Sequence, residues 1–249
     1  MPSLVFTPRY TDDSQLLWKA ACAAGWQVER LNNWRVPDNP DRNKPIYFYG
    51  EALFAPMLAE QLEIELLSPA PTWLVDLSAR YKLREIRALP MKEARDITTP
   101  TFIKPPNDKS FNAGVYLGNE LTPDYPDHEL VLCSEVVTWE IEFRCFILNR
   151  ELLTYSLYAR NGESQHEQNF YSHAAEDAKL EEFVTNLLSD QTVELPEAIV
   201  LDVGFIRDRG WACVELNAAW GSGIYACDPG QVLRVLERSI RQLPQRKCT

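Results

Sequence analysis

The sequence predicts an α+β fold in which a small α/β layer precedes a larger, strand-rich domain. Short apolar runs alternate with helical patterns as far as Leu67, which is typical of a parallel sheet with crossover helices. The segment Ser68-Pro69-Ala70-Pro71 then interrupts the pattern, because proline cannot continue the hydrogen bonding of a helix or a strand. We therefore expect a small α/β domain over residues 1–75 and a second domain over residues 76–249.

The N-terminal part contains four predicted strands and two helices. Its first helix begins near Asp12-Asp13-Ser14, whose side chains offer capping oxygens, and Gly25 is placed to end it. The remaining elements are the strands Leu4 to Phe6, Gln27 to Leu31, Ile46 to Tyr49 and Ile64 to Leu67, the loop Pro37 to Pro45, and a helix from Glu51 to Gln61.

The second part is predicted to contain more strands, after a mainly helical pattern over Leu77 to Ala94. Its predicted strands are Thr101 to Lys104, Leu130 to Val137, Glu140 to Leu148, Leu152 to Tyr158, Ala198 to Ile206 and Trp211 to Asn217. Its helices are Ala174 to Leu188 and Gln231 to Leu243.

Composition excludes several classes of protein. The 45% of hydrophobic residues and 24% of charged residues are ordinary for a folded chain. A net charge of -11 without a basic patch argues against general nucleic-acid binding. The six cysteines lack CxxC spacing, which favours reduced thiols, and we find neither a secretory nor a membrane-spanning segment. We expect a cytoplasmic protein without a membrane partner; the sequence does not indicate its oligomeric state.

A candidate metal site lies on the last predicted hairpin. Asp202 interrupts an apolar strand, where a lone carboxylate is costly without a cationic partner. If Arg207 to Gly210 forms a four-residue loop, with Gly210 at positive φ, Asp202 lies opposite Glu215 and Asn217 follows on the same face. Two carboxylates and an amide oxygen are ligands that Mg²⁺ prefers. The alternatives are a structural network with arginines or a proton-sharing carboxylate pair, and Asn217 favours metal over the second.

A cationic group precedes this site along the chain. Lys104 ends a predicted strand before Pro105-Pro106, Lys109 lies in the following loop, and Arg144 shares a strand face with Glu140 and Glu142. Three cations within an acidic chain suit a polyphosphate ligand. The alternatives are surface lysines, and an arginine neutralised by its strand neighbours.

These motifs, taken in order, resemble the ATP-grasp superfamily. The relevant segments are FIKP, LVLCSEVV, WEIEFRCFIL, VLDVGF and VELNAAWGSG, and the resemblance covers residues 76–249. It implies two α+β subdomains that hold ATP, preceded by a small α/β domain. Within the superfamily, FIKPPNDKSFNAGVY followed by EFRCF is most similar to the clade recognised by one arginine and two lysines. Those residues are Arg144, Lys104 and Lys109 here.

The resemblance also implies roles for individual residues. Lys104 would contact the α- and β-phosphates of ATP, and Lys109 would reach phosphate from a covering loop. Arg144 and Lys109 would surround the transferred phosphoryl group. The hinge from Ser134 through Glu135, Val136 and Val137 would line the adenine pocket, although Glu135 could instead be an ordinary strand-end carboxylate. Asp202, Glu215 and Asn217 match the magnesium ligands.

The sequence departs from the superfamily pattern at two places. The loop from Asn107 to Gly114 contains one glycine rather than a glycine-rich phosphate loop. Lys82 stands where many members have a further lysine, but it lies on a predicted helix rich in cations, and we interpret Arg80, Lys82 and Arg84 as a solvated face of that helix.

The resemblance implies an ATP- and Mg²⁺-dependent ligase. Such an enzyme activates a carboxylate as an acylphosphate and joins it to an amine or similar nucleophile, either of which can belong to a small molecule or a peptide. Ala218 to Tyr225 and Arg160 are weaker candidates for contacting the acceptor. The alternatives are an ATP-binding regulator or phosphotransferase without ligase activity, and a hydrolase using Glu140 and Glu142. The hydrolase is disfavoured because residues two apart on a strand do not face each other across a substrate bond.

Overall fold

The computed structural model describes residues 1–37, 44–107 and 110–243. Within them, the strands are β1 (Ser3–Phe6), β2 (Gln27–Arg30), β3 (Ile46–Tyr49), β4 (Ile64–Leu66), β5 (Ile86–Pro90), β6 (Thr101–Lys104), β7 (Gly114–Tyr116), β8 (Leu130–Ser134), β9 (Trp139–Leu148), β10 (Glu151–Arg160), β11 (Glu163–Ser164), β12 (Ala198–Ile206), β13 (Gly210–Asn217) and β14 (Ile240–Gln242). The helices are α1 (Asp12–Ala23), α2 (Ala55–Leu62), α3 (Trp73–Asp76), α4 (Ala79–Lys82), α5 (Met91–Ala94), α6 (Ala174–Ser189) and α7 (Pro229–Arg238).

The N-terminal strands form the predicted parallel sheet, in the order β2-β1-β3. Helix α1 connects β1 to β2, as expected for a crossover between parallel strands. Its N-cap is Thr11 rather than a residue of the predicted Asp12-Asp13-Ser14 group. The Thr11 hydroxyl accepts from the Ser14 backbone N–H at 3.1 Å, and the Ser14 hydroxyl accepts from the Thr11 N–H at 3.1 Å.

Two further sheets carry Lys104, Arg144, Asp202, Glu215 and Asn217. A five-stranded sheet has the order β11-β10-β9-β12-β13, and a four-stranded sheet has the order β5-β8-β6-β7; every pairing in both is antiparallel. Helix α6 covers one face of the five-stranded sheet, where Leu180 and Val184 share a buried cluster with Phe143 and Ile147. The polar residues of β9 and β12 therefore lie on the other face.

One apolar core crosses the predicted boundary at residue 75. Phe6 and Phe48 of the parallel sheet belong to the same buried cluster as Val200 of β12 and Leu236 of α7. Strand β14, which follows α7, also pairs with β4. The division at residue 75 stays a prediction, and the C-terminal helix completes the core of the N-terminal sheet.

Two sequence-based expectations were wrong in detail. The mainly helical pattern from Leu77 to Ala94 contains strand β5 between two single-turn helices, because pairing with β8 extends Ile86–Pro90. The predicted last helix ends at Arg238, and Ile240–Gln242 forms a strand instead. Both errors have one cause, since a partner strand distant in sequence overrides local helix preference.

The described cysteines differ in burial. Cys133, Cys145, Cys213 and Cys227 are buried free thiols and Cys22 is exposed, whereas Cys248 lies outside the described residues. No helix among the described residues combines the length and apolar character needed to cross a bilayer.

Candidate active site

The hairpin of β12 and β13 brings Asp202 opposite Glu215, as the sequence predicted, but by a different register. The turn is one residue shorter than expected, because Ile206 pairs with Gly210, which has a φ of +115°. A β-bulge between Asp202 and Val203 then shifts the register by one residue in the compensating direction. The two differences cancel at Asp202, so the predicted facing pair is confirmed.

Asn217 joins these two carboxylates. Its Nδ2 atom donates to Asp202 Oδ2 at 3.1 Å and to Glu215 Oε1 at 2.8 Å. The three side chains predicted as metal ligands thus converge at one end of the hairpin. The strand register and the two amide hydrogen bonds hold these three side chains together.

Arg144 lies beside Asp202 on the neighbouring strand β9. Its Nε and Nη2 atoms donate to Asp202 Oδ1 at 2.9 Å and Oδ2 at 2.6 Å, and Nη1 donates to the Gly223 carbonyl at 3.0 Å. Complete burial raises the pKa of Asp202 to about 6, against the opposing effect of Arg144. The two hydrogen bonds make this a two-pronged ion pair.

Lys104 connects the two antiparallel sheets. It ends β6 in the four-stranded sheet, and its ammonium donates to Glu215 Oε2 in the five-stranded sheet. Burial opposes ionisation of Glu215, but Lys104 and Asn217 outweigh it and hold the pKa of Glu215 at about 2. The ion pair places a cation of one sheet directly against a predicted metal ligand of the other.

A cavity of 310 Å³ opens at this point. Lys104, Glu215 and Asn217 line it, together with Pro69 and Trp220. Lys109, the third predicted phosphate-binding cation, lies outside the described residues, so its role stays a prediction.

The predicted adenine hinge lies along a separate cleft, lined in part by Ser134, Glu135 and Val136. Glu135 forms an ion pair with Arg209, and its backbone N–H donates to the Glu85 carbonyl at 3.0 Å. Val136 is 47% exposed and Val137 is half-buried. Their proposed contacts with adenine remain predictions.

Comparison with known proteins identifies the family to which this chain belongs. A family model described as an ATP-grasp domain, the second family of the clade named for one arginine and two lysines, matches residues 81–235. The chain belongs to this clade of ATP-grasp proteins. The match spans β5 to α7 and so contains Lys104, Arg144 and the whole hairpin of Asp202.

Solved structures confirm the ATP-grasp fold. The D-cycloserine synthetase DcsG has a TM-score of 0.58 and 12% identity, over 95% of this chain and 99% of that one. A RimK domain ATP-grasp protein from Sphaerobacter thermophilus DSM 20745 has a TM-score of 0.51 and 13% identity, with the same coverage. No functionally curated protein matches the sequence. At these identities the structural likeness concerns the fold alone.

The donor set of this ATP-grasp chain fits Mg²⁺. The two carboxylates and the Asn217 amide carry the hard oxygens that Mg²⁺ prefers, and the nearby cavity leaves room for phosphate and water. In this structure Asn217 faces the carboxylates through Nδ2, so its side-chain amide would turn to present the oxygen to a metal. Among residues 1–37, 44–107 and 110–243, no group of three or more His, Cys, Asp or Glu side chains is placed to hold a metal. The candidate site therefore depends on its amide and on oxygens that substrate phosphates would add.

Sequence reasoning missed the surroundings of Arg84. Its guanidinium donates to the Cys213 and Val214 carbonyls at 2.7 and 3.0 Å and lies 4.9 Å from the centre of the Trp139 ring. Burial lowers its pKa to about 10. The interpretation of Arg80, Lys82 and Arg84 as a solvated face was therefore wrong for Arg84, which is hydrogen-bonded to the backbone of β13, the strand that carries Glu215.

Lys82 and Arg160 also have partners. The Lys82 ammonium donates to the Val75 carbonyl at 2.6 Å and lines the hinge cleft. Arg160 donates to both carboxylate oxygens of Glu176, at 2.8 and 3.0 Å. This ion pair ties the end of β10 to the first turn of α6.

The loop after Asn217 is tied to residues from distant parts of the chain. The Asp13 carboxylate accepts from the Ile224 N–H at 2.9 Å, and the Tyr49 hydroxyl donates to the Ser222 carbonyl at 2.9 Å. Tyr225 has a φ of +51° and its ring lies 4.9 Å from the Arg144 guanidinium. A bulky residue at positive φ is unusual and needs a packed environment to hold it. The sequence carried no signal for these contacts beyond the proximity of the loop to Asn217.

Glu142 is a further carboxylate on the face that carries Arg144. It accepts from the Tyr158 hydroxyl at 2.9 Å, and burial raises its pKa with a smaller contribution from Asp202 and Glu215. Glu140, by contrast, forms an exposed ion pair with Arg207. The two carboxylates have separate partners, and this arrangement gives no support to a paired hydrolytic use.

Proposed function

We propose that the protein is a Mg²⁺-dependent ATP-grasp ligase that activates a carboxylate and joins it to an amine or similar nucleophile. The observation that supports this most directly is the convergence of Asp202, Glu215 and Asn217 with Lys104 beside a cavity. Its donor types fit a metal-bound triphosphate, and the chain belongs to the ATP-grasp family.

The proposed reaction has two steps. A substrate carboxylate oxygen attacks the γ-phosphorus of ATP, and the bond from that phosphorus to the bridging oxygen breaks, which releases ADP and leaves an acylphosphate. An amine then attacks the acyl carbon, the C–N bond forms, phosphate leaves, and the amine loses a proton. No protein nucleophile is needed.

The side chains supply positioning and charge in this scheme. Asp202, Glu215 and Asn217 would hold Mg²⁺, which neutralises the phosphates when bound. Lys104 and Lys109 would bind phosphate oxygens, and Arg144 would face the transferred phosphoryl group from β9. The hinge with Glu135, Val136 and Val137 would hold adenine. The Ala218 to Tyr225 loop, which Arg144 and Asp13 hold, would contact the acceptor.

A turnover assay tests this proposal. Purified protein with ATP, Mg²⁺ and a panel of amino acids and short peptides should release phosphate and form a new amide, detected by mass spectrometry. Glu215→Gln should abolish turnover and keep the circular dichroism spectrum of the wild type. A matched surface control is Glu182→Gln, which removes a carboxylate paired with Lys179 on α6 and should leave turnover unchanged.

The same assay distinguishes the alternatives. An ATP-binding regulator would bind the nucleotide with Mg²⁺ and release no phosphate with any substrate pair. A phosphotransferase would consume ATP and form a stable phosphorylated product without an amide. Full turnover in Glu215→Gln would exclude the metal assignment.

A further inference from the structure

The two carboxylates of the proposed metal site are already bound by cations of the protein. Lys104 donates to Glu215 Oε2, and Arg144 donates to Asp202 through two hydrogen bonds of 2.9 and 2.6 Å. The formal charges of these four side chains sum to zero. A divalent ion and the two protein cations thus compete for the same carboxylate oxygens.

The competition is strong because solvent screens it weakly. The Asp202 side chain is fully buried, and those of Lys104 and Glu215 are 16% and 28% exposed. Like charges repel more in such surroundings than in water. A divalent ion that entered without an anion would leave this group with two excess positive charges.

The two cations differ in how firmly they are held. Arg144 is enclosed by Asp202, the Gly223 carbonyl and the ring of Tyr225. Lys104 ends β6 on the other sheet, is followed by Pro105-Pro106, and borders the cavity that Glu215 also lines. A flexible ammonium at a strand end can turn towards a new acceptor, whereas the enclosed guanidinium keeps its position.

We propose that Lys104 is an internal competitor for Glu215, so that the divalent ion binds tightly only together with a nucleoside triphosphate. The phosphate oxygens draw the ammonium away from Glu215, and the carboxylate then becomes available to the metal. This inference rests on the proposed function, because it takes Asp202, Glu215 and Asn217 as metal ligands. It assigns Lys104 a second role, the coupling of metal binding to nucleotide binding.

Metal binding without nucleotide tests the inference. Mn²⁺ is the probe, and the free ion is measured by electron paramagnetic resonance. Lys104→Met should bind Mn²⁺ alone about tenfold more tightly than the wild type, because a cation that competes for Glu215 is gone. Lys104→Gln should show the same gain in affinity. The second variant keeps the test usable if one of the two fails to fold, which circular dichroism would show.

Two controls separate this effect from a general change in charge. Lys179→Met removes a lysine from an exposed ion pair with Glu182 on α6 and should leave Mn²⁺ affinity unchanged. Lys104→Met combined with Glu215→Gln should lose the gain, because the carboxylate that Lys104 occupies is then absent.

The outcomes distinguish this inference from the proposed function. Unchanged or weaker Mn²⁺ binding in folded Lys104→Met and Lys104→Gln would overturn the competition. The proposed metal site would still be supported if wild-type protein with a non-hydrolysable ATP analogue bound more Mn²⁺ than the same concentration of analogue binds without protein. Absence of that uptake would overturn both proposals.

Discussion

The Arg144 guanidinium and the Asp202 carboxylate lie side by side on strands β9 and β12, joined by two hydrogen bonds inside the protein. Removing one member of such a pair leaves the charge of the other buried without a partner of opposite sign. We expect Arg144→Met to lower the free energy of unfolding by about 3–5 kcal/mol, measured by urea denaturation. Arg207→Met breaks an exposed pair with Glu140 and should cost less than about 1 kcal/mol. Equal effects of the two substitutions would contradict a structural role for the buried pair.

Lys104→Ala is predicted to weaken ATP binding in the presence of Mg²⁺. Loss of a charge-assisted hydrogen bond to phosphate corresponds to about 1.5–3 kcal/mol, or roughly ten- to hundredfold in the dissociation constant. Isothermal titration calorimetry with a non-hydrolysable analogue measures the change, and Lys179→Ala serves as the surface control. Unchanged affinity in Lys104→Ala would count against the phosphate contact.

Gly204 permits the close approach of β12 to β9 next to the site. A Cβ atom there would lie 2.5 Å from the Ile141 carbonyl oxygen and 2.8 Å from the Trp139 ring. Gly204→Ala should therefore destabilise the protein by about 1–3 kcal/mol in a thermal or urea transition. At Gly221 the nearest atom would be the Gly50 carbonyl oxygen, at an ordinary 3.5 Å. Gly221→Ala should be less damaging, and the reverse order would contradict this packing argument.

Asp13 fixes the loop that follows the proposed metal ligands. Its carboxylate accepts from the Ile224 N–H, and we expect Asp13→Ala to speed hydrogen exchange of that amide roughly tenfold, for a loss of about 1.5 kcal/mol. Asp13→Asn keeps a side-chain oxygen as an acceptor and should retain most of the protection. NMR measures the exchange rate of the Ile224 amide. Wild-type protection in both variants would refute a stabilising role for the hydrogen bond to Asp13.

The ion pair of Glu135 and Arg209 should depend on pH. The hydrogen bond from Arg209 lowers the pKa of Glu135 from 4.5 to about 2. Because the folded-state pKa is depressed, the pair stabilises the fold fully above pH 4.5, and this contribution is lost as the pH falls towards 2. A double-mutant cycle of Glu135→Gln and Arg209→Gln should give a smaller coupling energy at pH 3.5 than at pH 7. Equal, non-zero coupling at both values would contradict the lowered pKa of Glu135, and coupling near zero at both would show that the pair does not form in solution.

Several parts of the candidate site followed from local sequence rules. The alternation of side chains along β9 placed Glu142 and Arg144 on one face, and the apolar run around Asp202 marked an expensive carboxylate. The hairpin prediction reached the correct pair at Asp202 although its loop was one residue too long. It succeeded because the β-bulge offset that error, and the sequence contained no signal for the bulge.

Other parts depended on distant partners. The local side-chain pattern predicted helix for β5 and β14. Both segments are extended because they pair with distant strands, β5 with β8 and β14 with β4. Arg84 was assigned to solvent because its acceptors, the carbonyls of Cys213 and Val214, lie far along the chain. A pattern of side chains in one segment contains no information about backbone groups that arrive from another.

The sequence alone determined the α+β class, the resemblance to ATP-grasp proteins and the oxygen-donor set of the hairpin, because periodicity and residue chemistry are local properties. The tertiary structure decided which cation faces which carboxylate: Lys104 reaches Glu215 across two sheets, and Arg144 reaches Asp202 within one. Coulomb interactions depend on distance in space and on burial, and only the packing of the sheets sets both quantities.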